Sequence, residues 1–233
     1  MRKCVIFTVL LLAVSVRPSS ATPLDISSIS GEWINPVGGL NLTGVGTSTM
    51  TWGDGVVPDS GYSFAAGANI TSVPLATPLF LGLFTHHNEP IPSGSAISGV
   101  DLSFGFTTNG APPNVAVTFA FAHNETPNST GTSPADDDIV TITTPFVNIP
   151  IDVGADTYFF NLLGFSNSGG ATFSNVYSSP EGASNSTSLY GSITQDRLNA
   201  EAVPEPASLM LFGSGLTGVA LLRRARRQKS QKN

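Results

Sequence analysis

The 233 residues are 40% hydrophobic and only 11% charged, with 24 Gly and 17 Pro, which excludes a coiled coil, a long helical bundle and a charge-rich disordered chain. The basic residues gather at the ends: between Thr22 and Val203 one arginine, Arg197, stands against fifteen Asp and Glu, a formal charge of −14. Nucleic-acid binding needs Lys and Arg to displace phosphate counterions, so this body is no nucleic-acid partner.

The chain opens on Arg2 and Lys3, a 13-residue apolar run from Cys4 to Val16, then Arg17-Pro18 and the small residues Ser19-Ser20-Ala21. A charged start, a short apolar stretch and a small-residue site make residues 1–21 a secretory signal peptide, handed to the secretion machinery and cut between Ala21 and Thr22. Thirteen residues are too few to span a bilayer comfortably. Cys4 is the only cysteine, so its removal leaves a chain without disulfide, thiol nucleophile or thiolate metal site.

Residues 22–194 read as one all-β domain. Short runs rich in Thr, Val, Ile and Phe are punctuated by Gly, Pro, Asn and Asp, and no window sustains a helical period. The predicted strands are 44–52, 62–64, 79–85, 97–106, 115–122, 139–144, 157–165, 171–173 and 189–193. Val115, Val117, Phe119 and Phe121 alternate with Ala116, Thr118, Ala120 and Ala122, so one bulky face is expected in the core. Nine short strands predict two packed antiparallel sheets, a jelly-roll-like β-sandwich.

A polar linker, 195–202, leads to Val203-Pro204-Glu205-Pro206, an apolar helix over 207–222 and the basic cluster Arg223-Arg224-Ala225-Arg226-Arg227, with 228–233 as a cytoplasmic tail. The positive-inside rule keeps the arginines in the cytoplasm and the acidic body outside. Sixteen apolar residues are slightly short for a permanent span and suit a single transmembrane helix that is a transient anchor. Gly213-Ser214-Gly215-Leu216-Thr217-Gly218 fits the dinucleotide-binding fingerprint by letter, but no βαβ unit surrounds it; its small residues thin a membrane helix.

Pro204-Glu205-Pro206, the short helix and Arg223, Arg224, Arg226 and Arg227 resemble the PEP-CTERM sorting signal of bacteria that make exopolysaccharide; the same tail is also catalogued as an ice-binding protein C-terminal segment. The resemblance implies an exosortase that cuts near Pro-Glu-Pro and passes the protein outward. Within the body, Thr85-His86-His87-Asn88, His123-Asn124-Glu125, Pro180-Glu181-Gly182 and Trp52-Gly53 are similar to the THxN family of PEP-CTERM proteins, close to the choice-of-anchor surface domains. That family implies location and architecture, without a reaction.

Two polar clusters are candidate sites. His86, Asn88, His123 and Glu125 are expected in loops at strand ends that could meet at one pole, either as a small site for a metal or a sugar or, the commoner role, as side chains that pin loops through backbone groups. Asp136-Asp137-Asp138 offers clustered carboxylates to calcium, although the EF-hand spacing is absent and an exposed acidic turn is the simpler expectation. No other cofactor is indicated. Trp33, Trp52 and Tyr190 could stack sugars if exposed, with a core Trp the default. No nucleophile elbow or triad spacing appears, so the chain is expected to be a non-enzymatic, exported protein. It would pass through an inner-membrane-anchored intermediate to the cell surface or the exopolysaccharide matrix of a biofilm. A carbohydrate- or ice-binding module is the alternative.

Overall fold

The computed structural model describes residues 23–195 apart from 56–58, 110, 129–130, 145–147 and 154–155, and only the backbone of 111–114. The expected signal peptide with its Ala21–Thr22 junction and everything after Gln195, including the sorting motif and helix 207–222, lie outside these residues. The strands are β1 (Ile26–Gly38), β2 (Thr49–Trp52), β3 (Ser60–Ala66), β4 (Leu79–Asn88), β5 (Ile97–Thr108), β6 (Ala111–Asn124), β7 (Asp138–Ile142), β8 (Ile149–Val153), β9 (Asp156–Ser166), β10 (Val176–Ser179) and β11 (Ala183–Thr194), with no helix among the described residues.

They form two antiparallel sheets, ordered β1-β5-β6-β7-β10 and β2-β3-β4-β11-β9-β8, consistent with the predicted sandwich. The connectivity differs from the jelly-roll-like part of that expectation. Consecutive strands stay within one sheet as meanders, β2-β3-β4 and β5-β6-β7, instead of alternating between sheets. The two-residue link 109–110 makes β5 and β6 a hairpin, which keeps its strands side by side, whereas β3–β4 and β6–β7 pair across loops of 12 and 13 residues.

Period-two alternation builds the core. Val100, Leu102, Phe104 and Phe106 of β5 point inward, as do Val117, Phe119 and Phe121 of β6, the bulky face read from the sequence. From the opposite sheet Tyr158, Phe160 and Leu162 of β9 meet them, and Phe160 stacks on Phe104 at 5.9 Å between centroids. Trp33 of β1 and Trp52 of β2 are fully buried, so neither can stack a sugar.

Bulges shift this phase twice on the six-stranded sheet. Against β11, Leu81 has no partner between Phe80 and Gly82, so β4 turns Leu79 and Leu81 inward before the shift and Phe84, His86 and Asn88 after it. Leu163 is likewise unpaired beside Gly164, whose φ of 113° only glycine adopts freely and where a Cβ would lie 2.6 Å from the Ser174 carbonyl. Without that slip Phe165 would face solvent.

Several predicted elements change. β1 went unpredicted because Ser28 and Asn35, both at φ 53°, break its alternation, and β8 because Pro150 sits in a short edge strand, where a missing N–H is tolerated. Segment 171–173 is a bend with an isolated bridge at Ser174, and the true edge strand is β10, five residues further on. Of 44–52 only Thr49–Trp52 pairs as a strand, since Gly44 and Gly46 turn at positive φ.

Candidate functional site: a polar cluster inside the sandwich

Along β6 the inward face runs Val117, Phe119, Phe121 and then His123, so the rule that buries the phenylalanines also buries an imidazole. On β4 the shifted phase does the same for His86 and Asn88, while His87 points the other way to Ser63 and Ser184. β3 brings Tyr62, β7 brings Asp138 and β10 brings Ser179, all buried. His86, Asn88 and His123 are therefore strand residues of the interior, which corrects the expectation that both histidine clusters lie in loops; only Glu125, just past the end of β6, is half-buried.

Contacts between the sheets are specific. Tyr62 Oη and His123 Nδ1 are 2.6 Å apart, and His123 Nε2 lies 3.3 Å from Glu125 Oε2 and 3.8 Å from Asp138 Oδ2. His86 Nδ1 is 2.9 Å from Ser179 Oγ, and Asn88 Nδ2 donates to the Ser179 carbonyl at 2.8 Å. The two imidazoles meet edge to face with centroids 5.3 Å apart, and Trp52 lies stacked on His86 at 6.0 Å. Asn88 thus bonds a backbone group, the kind of contact anticipated for it, but across the sandwich, from β4 to β10.

Burial sets the protonation of this cluster. It holds the His86 imidazolium well below its usual range, helped by His123 and His87, and lowers His123 to about 4 against the pull of Asp138. It raises Glu125 to about 7, with Glu181 adding repulsion, and Asp138 to about 6, with backbone donation from Thr126 opposing. Neutral imidazoles therefore face carboxyls that hold protons unusually well, and Glu125 and Asp138 are close enough to share one.

The Asp136-Asp137-Asp138 run is buried, which corrects the exposed acidic turn expected for it. The three carboxylates are drawn to three places. Asp136 accepts from the Gly131 and Thr132 amides, Asp137 from Ser178 Oγ, and Asp138 Oδ1 from Thr126 N at 2.9 Å and Thr126 Oγ1 at 3.2 Å. Asp138 alone of the three enters the histidine cluster. Tyr62, Ser179 and Glu181 are not among the candidate site residues of the sequence analysis; Tyr62 is legible as the start of a predicted strand and Glu181 as part of Pro180-Glu181-Gly182, while nothing local marks Ser179.

Outside the cluster, Tyr190 is half-exposed on the outer face of the six-stranded sheet. Its ring contacts Phe80 and Phe173, each at 5.8 Å between centroids.

A protein-family model for the PEP-CTERM protein-sorting motif matches residues 202–227. The chain therefore carries the signal by which exosortase sorts proteins to the cell surface, through export and membrane-anchored processing. Pro204, Glu205, Pro206, Arg223, Arg224, Arg226 and Arg227 all fall inside the match. No curated protein matches the chain.

Proposed function

We propose that this is a non-enzymatic β-sandwich protein of the THxN type, displayed at the cell surface or released into an exopolysaccharide matrix once exosortase has removed its tail. The observation that carries this reading is the sorting motif at 202–227 behind a body of formal charge −14. Self-repulsion at that charge favours solubility outside the cell. The non-enzymatic part is supported by the burial of His86, His123 and Asp138 between the two sheets, where a substrate would have to displace core side chains.

The test is the intact mass of the protein from envelope and medium of its native host. A chain running from Thr22 to the Pro204–Pro206 region supports the reading; one that retains Asn233 and stays in the membrane overturns it. Replacing Glu205 and the four arginines should abolish release.

A second reading, carbohydrate binding, is favoured by the Phe80–Tyr190–Phe173 rings and not by the histidine pole, because stacking on a sugar needs exposed aromatic faces. Retention of the wild type on host exopolysaccharide, lost in Tyr190→Ala, would support it. The ice-binding variant of this reading predicts thermal hysteresis in the released protein.

A further inference from the structure

The interior cluster holds buried polar atoms that no hydrogen bond satisfies among the described residues. His86 Nδ1 is anchored by Ser179, yet His86 Nε2 is buried with no hydrogen-bond partner among the described residues. Asp138 Oδ2, 3.8 Å from His123 Nε2, is likewise buried without a hydrogen-bond partner among them. Each such group destabilises the fold unless something satisfies it. Residues 23–195 contain thirteen Asp and Glu and not one Lys or Arg, so no permanent side-chain cation among the described residues balances the buried carboxylates.

Potential ligand atoms of the cluster converge. One ligand atom each from His86, His123 and Asp138 lies within 4.8 Å of the others. Two ligands bonded at about 2.0–2.1 Å to a tetrahedral ion sit roughly 3.3–3.5 Å apart. His123 Nε2 is already 3.3 Å from Glu125 Oε2 and 3.8 Å from Asp138 Oδ2. The remaining ring nitrogens also fit. Tyr62 Oη at His123 Nδ1 and Ser179 Oγ at His86 Nδ1 can each accept a hydrogen bond from Nδ1–H, which leaves both Nε2 lone pairs free to bind.

We propose that His86, His123 and Asp138, with Glu125 as fourth donor, form a buried structural site for one transition-metal dication with zinc's ligand preference. Two imidazoles select such an ion over calcium or magnesium, which favour oxygen ligands. Three of these donors already converge, and Glu125, grouped with Asp138 and Glu181 and 3.3 Å from His123 Nε2, has to move in as the fourth; the closed sphere then ties β4 of one sheet to β6 and β7 of the other as a structural site. A second carboxylate group, Glu125, Asp138 and Glu181, shares Asp138 and leads outward. Glu181 lines a pocket of about 210 Å³ together with Asp136 and Asp137, an acidic approach for a cation.

The experiment uses the full chain, stripped with chelator, reconstituted with zinc, cobalt(II) or calcium, and desalted. Expected are about one zinc retained per chain by plasma mass spectrometry, a rise in Tm with zinc but not calcium, and cobalt d–d bands of tetrahedral intensity. His86→Gln and Asp138→Asn should abolish retention, Ser179→Ala and Tyr62→Phe should weaken it about 10- to 100-fold, and His87→Gln should leave it unchanged. If His86→Gln does not fold, Glu125→Gln, at a half-buried position, and the wild-type cobalt spectrum carry the test. A folded wild type that retains no zinc overturns the proposal. So does zinc retained by folded Asp138→Asn, or stabilisation by calcium alone.

Discussion

The two ends of the sandwich interior are built by one alternation and filled by opposite chemistry. Toward the β5–β6 turn, Phe104, Phe106, Phe119 and Phe160 pack ring on ring at 5.5–6.3 Å; further along β6 the next inward positions hold Phe121 and then His123, beside Tyr62, His86 and Asp138. The aromatic end asks only for volume and shape, since any ring of the right size satisfies its neighbours. The polar end asks for matched partners, because each buried donor or acceptor costs free energy until it is met. The stability of one end should respond to size and that of the other to identity.

The largest test of this contrast is Phe119→Ala, expected to cost about 3–5 kcal/mol in urea unfolding, whereas Phe119→Leu should recover most of it. At the polar end the size-conserving His123→Phe should still cost about 1–3 kcal/mol, because it strands Tyr62 Oη; equal tolerance at both ends would break the comparison.

Acidity separates the ends next, measured with chelator present. Glu125, raised from 4.5 to about 7, binds its proton more tightly folded than unfolded, so its contribution is lost as pH rises through that window. His123, lowered from 6.5 to about 4, does the reverse and is lost as pH falls from 6.5 toward 4. The groups facing them are Asp138, Glu181, His86 and Tyr62. Relative to wild type, the Tm of Glu125→Gln should therefore gain between pH 5 and 7, and that of His123→Gln should gain below pH 6; Phe119→Leu should shift equally at every pH.

The smallest expected effect lies outside both ends. Phe80→Ser, on the outer face, should change stability by less than about 0.5 kcal/mol by the same unfolding measurement, and would sharpen the contrast between buried and surface rings.

The bulky stripe of β6 was legible in the sequence because local alternation and burial coincide there. The phase of β4 was not, because the slip at Leu81 is set by pairing with β11, about a hundred positions later, and in His86-His87 two identical side chains take opposite faces. The Asp136–Asp138 run read as exposed because charge normally means solvent, and distant or backbone partners, among them Thr126, Ser178 and the Gly131 and Thr132 amides, make its burial tolerable.

By itself the sequence determined the sorting signal and the all-β class. A linear signal is read as a linear string, and strand periodicity is a local property of the chain. Tertiary structure alone decided which polar residues share the interior. Tyr62 meets His123 across 61 positions and His86 meets Ser179 across 93, and nothing within a strand states which distant partner will satisfy it.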